Sequence, residues 1–159
     1  MKTLIQLLAL SFVASPFTLH ASDNLAVSSE DSAIKQNLSL LGFANDWTKT
    51  DNGEMQILES GGIYLDEQDY SAILTLNQMS ETTLQASLMQ GITLCTKLGM
   101  AVTGQQSSPT FKAFGSLTKQ ALSQPNAPAT GSYSPFEYRV VITGEIDTQA
   151  SFQCGIKRL

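Results

Sequence analysis

Residues 81–102, ETTLQASLMQGITLCTKLGMAV, form the longest helical pattern in the chain. Ser80 stands directly before this pattern, and its hydroxyl suits the capping position of a helix. The spacing therefore predicts a long amphipathic helix, and its buried face includes one of the chain's two cysteines. Apolar side chains recur on that face at spacings of three and four residues, at Leu84, Leu88, Ile92, Cys95 and Leu98.

The N-terminus, residues 1–21, has the layout of a secretory signal peptide. Lys2 is followed by an apolar stretch at residues 4–13, and Ala21 supplies a small residue before a polar segment. The apolar stretch is too short for a good membrane span, so we expect no stable membrane insertion. We predict export to the bacterial periplasm or the medium, with residues 22–159 forming a single domain.

The two cysteines, Cys95 and Cys154, could form a structural bridge, a metal site or a reactive centre. A metal site needs more ligands of the right type, and the Cys-x-x-Cys spacing of redox enzymes is absent. Two cysteines in an exported protein are expected to oxidise. We therefore predict a Cys95–Cys154 disulfide that stabilises the fold by roughly 4 kcal/mol, and we predict no metal or cofactor.

Removal of residues 1–21 would also remove His20, the chain's single histidine. Histidine is the usual general base near neutral pH and the commonest zinc ligand. Its loss argues against Ser-His-Asp, Cys-His and most zinc-hydrolase schemes. Chemistry that depends on carboxylates alone, or on a serine–lysine pair, is compatible with the loss of this histidine.

The exported chain is acidic, with fourteen Asp and Glu against eight Lys and Arg once Lys2 is removed. Phosphate binding requires positive charge, so nucleic acid is disfavoured as a ligand. A basic protein partner is compatible with this balance.

The segments around the long helix predict an antiparallel sheet. Asp51-Asn52-Gly53 is a strong hairpin turn between two strands, Gly61-Gly62 reads as a break, and residues 70–77 read as a third strand of a meander. At the other end, residues 136–147 and 150–159 alternate as a C-terminal hairpin.

Two further helices and one long loop complete the prediction. We expect helices at residues 30–41, ended by Gly42, and at residues 109–123, while residues 124–135 read as a surface loop. The predicted fold class is α+β. It consists of an antiparallel sheet, made of a three-strand meander and the C-terminal hairpin, packed against two or three helices.

Candidate partner-binding residues lie mostly in the meander. Its carboxylates are expected to be solvated, and the single tryptophan suits either the core or a binding anchor. Tyr64 and Tyr70 of the meander and Tyr133 of the predicted loop could extend an exposed aromatic patch. The candidates are Trp47, Asp51, Glu54, Asp66, Asp69 and Tyr133.

The order of elements resembles the front half of type III secretion chaperone-like domains. Three segments carry the resemblance: residues 38–43 with the sequence LSLLGF, the acidic turn at 51–54 with Ile57, and the strand at 70–76 followed by the helix from Glu81. The likeness covers about half of the chain. It implies a small dimeric α+β module that binds another polypeptide, although those chaperones are cytosolic and this chain carries an export pattern.

The leading hypothesis is an exported, non-enzymatic protein-binding module of the toxin-immunity, hydrolase-inhibitor or assembly-chaperone type. Its partner would be a basic toxin or an envelope enzyme. One alternative is a small-molecule or lipid carrier with a pocket between the sheet and the helices, lined by Leu88, Phe111 and Phe114. The other alternative is a carboxylate-dependent hydrolase.

Overall fold

A computed structural model describes residues 22–77, 80–145 and 148–159 of the chain. The predicted signal peptide, residues 1–21, lies outside the described residues and stays a prediction. The described part contains three helices and seven strands. Their bounds are α1 Ser22–Leu40, β1 Thr48–Thr50, β2 Gly53–Leu58, β3 Gly61–Asp66, β4 Asp69–Asn77, α2 Glu81–Thr103, α3 Ser107–Ser123, β5 Ala129–Tyr133, β6 Phe136–Glu145 and β7 Gln149–Arg158.

The seven strands form one antiparallel sheet in the order β1-β2-β3-β4-β7-β6-β5. The predicted α+β class with an antiparallel sheet and a C-terminal hairpin is confirmed. The meander has four strands rather than three, because Gly61 and Gly62 belong to β3 instead of breaking the chain. A Cβ at Gly61 would lie 1.8 Å from the carbonyl oxygen of Ile73. This glycine therefore permits a close approach between β3 and β4.

The predicted loop at residues 124–135 is only partly a loop. Residues Ala129–Tyr133 form β5, which pairs with β6 from Ala129 opposite Val140 to Tyr133 opposite Phe136. This segment carries few β-branched or aromatic residues, so its own sequence does not indicate a strand. Pairing with the long alternating strand β6 and packing against α3 account for it.

The three helices cover one face of the sheet. Helix α2 packs on β4 and β7, α3 packs on β5 and β6, and α1 packs against α2. The alternating residues of β6 and β7 that face the helices are buried, as their pattern predicts. They form the centre of the core: Phe136, Tyr138, Val140, Ile142, Phe152, Cys154 and Ile156.

Helix α2 begins at the predicted residue, Glu81, and ends at Thr103, one residue past the predicted pattern. The Ser80 hydroxyl accepts a hydrogen bond from the Thr83 backbone N–H, and Gly104 ends the helix with a φ of 69°. The Sγ atoms of Cys95 and Cys154 lie 2.08 Å apart, at disulfide distance. This bridge joins the middle of α2 to β7, beside the centre of the sheet.

Helix α1 begins at Ser22, earlier than the predicted start near Glu30. Residues 22–29 contain neither glycine nor proline, so nothing in their sequence stops a helix. The end is as predicted: Gly42 has a φ of 91°, and the Phe43 N–H donates to the Leu38 carbonyl. No helix in the described part of the chain is long and apolar enough to span a membrane.

Candidate functional site

Two of the predicted acidic residues, Asp66 and Asp69, line one groove on the sheet face that the helices leave uncovered, whereas Asp51 does not line it. We call it the meander groove; its volume is about 380 Å³. Asn52 of the first turn, Glu54 of β2 and residues of β3, β4 and β6 line it. The residues used below are Tyr64, Asp66, Asp69, Ile73 and Arg139.

Register explains why these residues meet. Thr50 lies opposite Gly53 across the first turn, and Asp66 lies directly opposite Asp69 across the β3–β4 turn. A Cβ at Gly53 would lie 3.1 Å from the Asp66 Cα, so the two turns are neighbours. The turn that contains Asp51 and the turn that contains Asp66 therefore share one end of the sheet.

Asp69 is held by an arginine from two strands away. Arg139 of β6 donates two hydrogen bonds to its carboxylate, Nη1 to Oδ2 and Nη2 to Oδ1, both at 2.8 Å. To reach Asp69 the arginine crosses β7 at Gly155, where a Cβ would lie 2.5 Å from Arg139 Nε. The carboxylate of Asp69 is thus oriented and its charge compensated.

Glu54 also has a fixed partner. Its carboxylate forms an ion pair with Lys35 of α1, on the helix-covered side of the sheet. Nearby, burial raises the pKa of the Asp31 carboxyl, and the negative charge of Glu54 raises it further, whereas Lys35 lowers it. Burial, aided by Glu30 and Asp31, raises the pKa of Tyr70 to about 12. The Glu54 carboxylate therefore belongs to the charged contact between α1 and the sheet and not to the meander groove, although the residue lines the edge of that groove.

The two predicted aromatic anchors do not line the meander groove. Trp47 is half-buried and packs against the hydrophobic core, with its indole Nε1 buried. Tyr133 lies on β5, at the opposite edge of the sheet from β1, and its ring packs against that of Tyr138 with centroids 4.9 Å apart and planes tilted by 36°. Tyr133 is 38% exposed, whereas Tyr64, another tyrosine of the predicted aromatic patch, lines the groove itself.

A second concavity lies on the outer surface of the helix layer. We call it the helix groove; its volume is about 660 Å³ and its walls are largely apolar. It lies where the end of α1 meets α2 and α3. The residues that define it here are Leu41, Thr93, Lys97, Met100, Phe111 and Lys112.

Sequence reasoning placed a carrier pocket on the other side of these helices. The space between the sheet and the helices is filled: Phe114 is fully buried and stacks on Tyr138 with ring centroids 5.0 Å apart. Leu88 is partly buried and packs against the core. Of the three residues named for that pocket, Phe111 alone lines the helix groove, because it sits at the edge of the buried stripe of α3.

No family model, curated protein or solved structure matches the chain. Among the described residues, no group of three or more His, Cys, Asp or Glu side chains is arranged to hold a metal ion.

Proposed function

We propose that this chain is an exported, non-enzymatic module that binds another protein through the meander groove. One observation carries the proposal: exposed carboxylates and half-exposed apolar side chains meet at one end of an uncovered sheet face. The location in the bacterial periplasm or medium rests on the predicted signal peptide, and the pair of bridged cysteines supports it.

The apolar part of this surface suits a protein partner. Tyr64 lies half-exposed over Gly62, where a Cβ would approach its ring to 3.3 Å. Ile73 lies half-exposed in the groove, and Ile57 on the adjacent strand is 69% exposed. A tyrosine flanked by aliphatic side chains is the kind of anchor that contributes most to protein interfaces.

The charged part of the surface favours a basic partner. Asp51, Asp66 and Glu67 are exposed at the two adjacent turns, and none of them forms an ion pair with a described residue. Carboxylates at the rim of an interface speed association with a positively charged surface and select against acidic proteins. A toxin, an envelope enzyme or a client protein with a basic contact surface fits this pattern.

The test is co-purification followed by a measured affinity. The tagged domain is expressed through its own signal in its host, the exported fraction is isolated, and a stoichiometric partner is identified by mass spectrometry. We expect the Asp51→Asn/Asp66→Asn double variant to bind that partner about tenfold more weakly at low salt, because two rim charges contribute roughly 0.7 kcal/mol each.

Glu59→Gln is the matched control, since Glu59 is an exposed carboxylate at the opposite end of β2. Tyr64→Ala is expected to weaken binding by more than tenfold without changing the far-UV circular dichroism spectrum of the domain. Equal affinities for the double variant, Tyr64→Ala and the wild type would refute binding at this groove, whatever protein was captured.

A further inference from the structure

We infer that the helix groove is a binding site for a single-chain carboxylate amphiphile, such as a fatty acid. This site lies on the helix layer, away from the uncovered sheet face, and is independent of the proposed protein interface. Its apolar walls would hold the acyl chain, and its two lysines would hold the carboxylate.

The walls offer apolar contact and few free hydrogen-bonding groups. Leu41, Met100 and Phe111 supply large apolar side chains, and Phe111 is 38% exposed. The hydroxyl of Thr93 donates to the Met89 carbonyl at 2.7 Å, so it is already used within its own helix. The hydroxyl of Thr96 likewise donates to the Ile92 carbonyl at 2.7 Å. A ligand with many polar groups would therefore lose hydrogen bonds with water that the walls do not replace.

The charges of the groove have a single sign. Both charged residues in its lining, Lys97 and Lys112, are cationic, although the chain as a whole has a net charge of −5. In the described residues, neither lysine forms an ion pair, whereas Lys35, Arg139 and Arg158 each pair with a carboxylate. Lys97 lies over the ring of Phe43, 5.2 Å from its centroid, which fixes its position at the groove. An anionic head group is the complement to this pair.

The shape favours one acyl chain over a peptide or a membrane. The α2 wall runs from Thr93 to Met100, which is about 10 Å of helix and too short to seat several turns of a partner helix. A volume of about 660 Å³ is typical of a small-molecule site. The apolar residues line a concavity rather than project from the surface, and an acidic protein is repelled by an anionic bilayer.

The geometry of α2 and α3 explains why the groove stays open. The two helices touch closely at Gly99, where a Cβ would lie 2.4 Å from Thr110 Cγ2. Beyond that contact the facing side chains on the outer surface are small, with Ser107 and Ser108 opposite α2. These serines are too short to fill the space beside Phe111.

The probe is dodecanoate, titrated below its micelle concentration into the disulfide-intact protein and followed by calorimetry. We expect one molecule to bind per chain. Lengthening the probe from octanoate to dodecanoate should tighten binding by about two- to fourfold per methylene, since each buried methylene contributes up to about 0.8 kcal/mol. Dodecyltrimethylammonium, which has the same chain and the opposite charge, should bind at least tenfold more weakly.

The variants separate the two parts of the site. Lys97→Gln/Lys112→Gln should weaken dodecanoate binding about tenfold and remove the preference over the cationic probe. Phe111→Ala should weaken binding of both probes. Lys119→Gln is the matched control, because it changes an exposed lysine of the same helix outside the groove.

Several results would overturn the inference. Equal affinity for the anionic and cationic probes would contradict the inference that the lysines hold the carboxylate. Unchanged dodecanoate binding by the double lysine variant would contradict it as well. Uptake of many dodecanoate molecules with loss of the near-UV spectrum would mean detergent unfolding rather than a site. Sedimentation with anionic vesicles in the absence of one-to-one dodecanoate binding would assign the groove to a membrane surface.

Discussion

Two glycines inside helices show how much the effect of one methyl group depends on its surroundings. Gly99 of α2 faces α3, and a Cβ there would lie 2.4 Å from Thr110 Cγ2 and 3.2 Å from Phe114 Cε2. Gly115 of α3 has no such neighbour within 4 Å of the same ideal position. Helix propensity alone favours alanine at both sites by about 1 kcal/mol.

We therefore predict opposite signs for the two alanine variants. Gly99→Ala should lower the free energy of unfolding by about 1–3 kcal/mol, because the new methyl group forces the two helices apart. Gly115→Ala should raise it by about 0.5–1 kcal/mol. Urea unfolding followed by far-UV circular dichroism measures both, and stabilisation by Gly99→Ala would contradict the close contact.

The carboxyl group of Asp31 is expected to make the stability of the fold depend on pH. Burial and the nearby charge of Glu54 raise the pKa of its carboxyl, so the folded chain holds this proton more tightly than the unfolded chain does. The resulting stabilisation is complete below the unfolded pKa and is lost as the pH rises through the folded pKa. Asp31→Asn should therefore be more stable than wild type at pH 7 and show no such gain at pH 3.

The matched control for Asp31 is its neighbour Glu30, which forms an ion pair with Arg158 at 2.8 Å. Glu30→Gln removes a favourable partner, so its effect on stability at pH 7 should be small and of the opposite sign. Urea titrations at pH 3, 5 and 7 test both variants. A gain from Asp31→Asn that is equal at all three pH values would contradict an effect of ionisation.

Helix α1 is held against the rest of the fold by a few buried side chains. Ile34 and Leu38 are buried, Leu38 completely, whereas Leu40 is 81% exposed two residues later. Leu38→Ala should lower the free energy of unfolding by about 2–5 kcal/mol, through lost burial and the cavity left behind. Leu40→Ala should change it by less than about 0.5 kcal/mol. Denaturant unfolding of both variants measures the difference, and similar values would mean that α1 is not docked in this register.

Local patterns predicted the elements whose signals are strong within one segment. The spacing of Leu84, Cys95 and Leu98 specifies α2, and alternation from Phe136 to Ile142 specifies β6. Strands β3 and β5 were missed because their cause is non-local. Gly61 looks like a break until its contact with the Ile73 carbonyl is known, and residues 129–133 become a strand by pairing with β6.

The same distinction between local and non-local causes applies to the candidate sites. Pattern alone placed Asp51, Asp66 and Asp69 in the meander, and the structure brings the two turns that carry them to one end of the sheet. Sequence gave no indication that Arg139, seventy residues later, binds Asp69. The helix groove could not be predicted from local patterns either, because the edge position of Phe111 depends on how α3 is rotated against α2 and the sheet.

At the scale of the whole molecule, the bridge between Cys95 and Cys154 joins two elements at the centre of the fold. The cysteines are 59 residues apart in sequence and both are fully buried. Helix α2 packs on β4 and β7, so the bridge ties the helix layer to the middle of the sheet. Restricting so long a loop in the unfolded chain is expected to stabilise the folded state by about 4 kcal/mol.

The Cys95→Ala/Cys154→Ala double variant should therefore lose about 4 kcal/mol of unfolding free energy relative to the oxidised protein. Its m-value in urea should rise, because the unfolded chain without the cross-link exposes more surface. Wild type under reducing conditions is the control, and it should match the double variant if the bridge itself is the cause. Trp47 fluorescence at the meander and far-UV circular dichroism should report the same midpoint, since the bridge ties α2, which packs on β4 of the meander, to β7 of the C-terminal hairpin. A loss below about 1 kcal/mol, or separate midpoints for the two probes, would contradict a bridge that stabilises the fold as one unit.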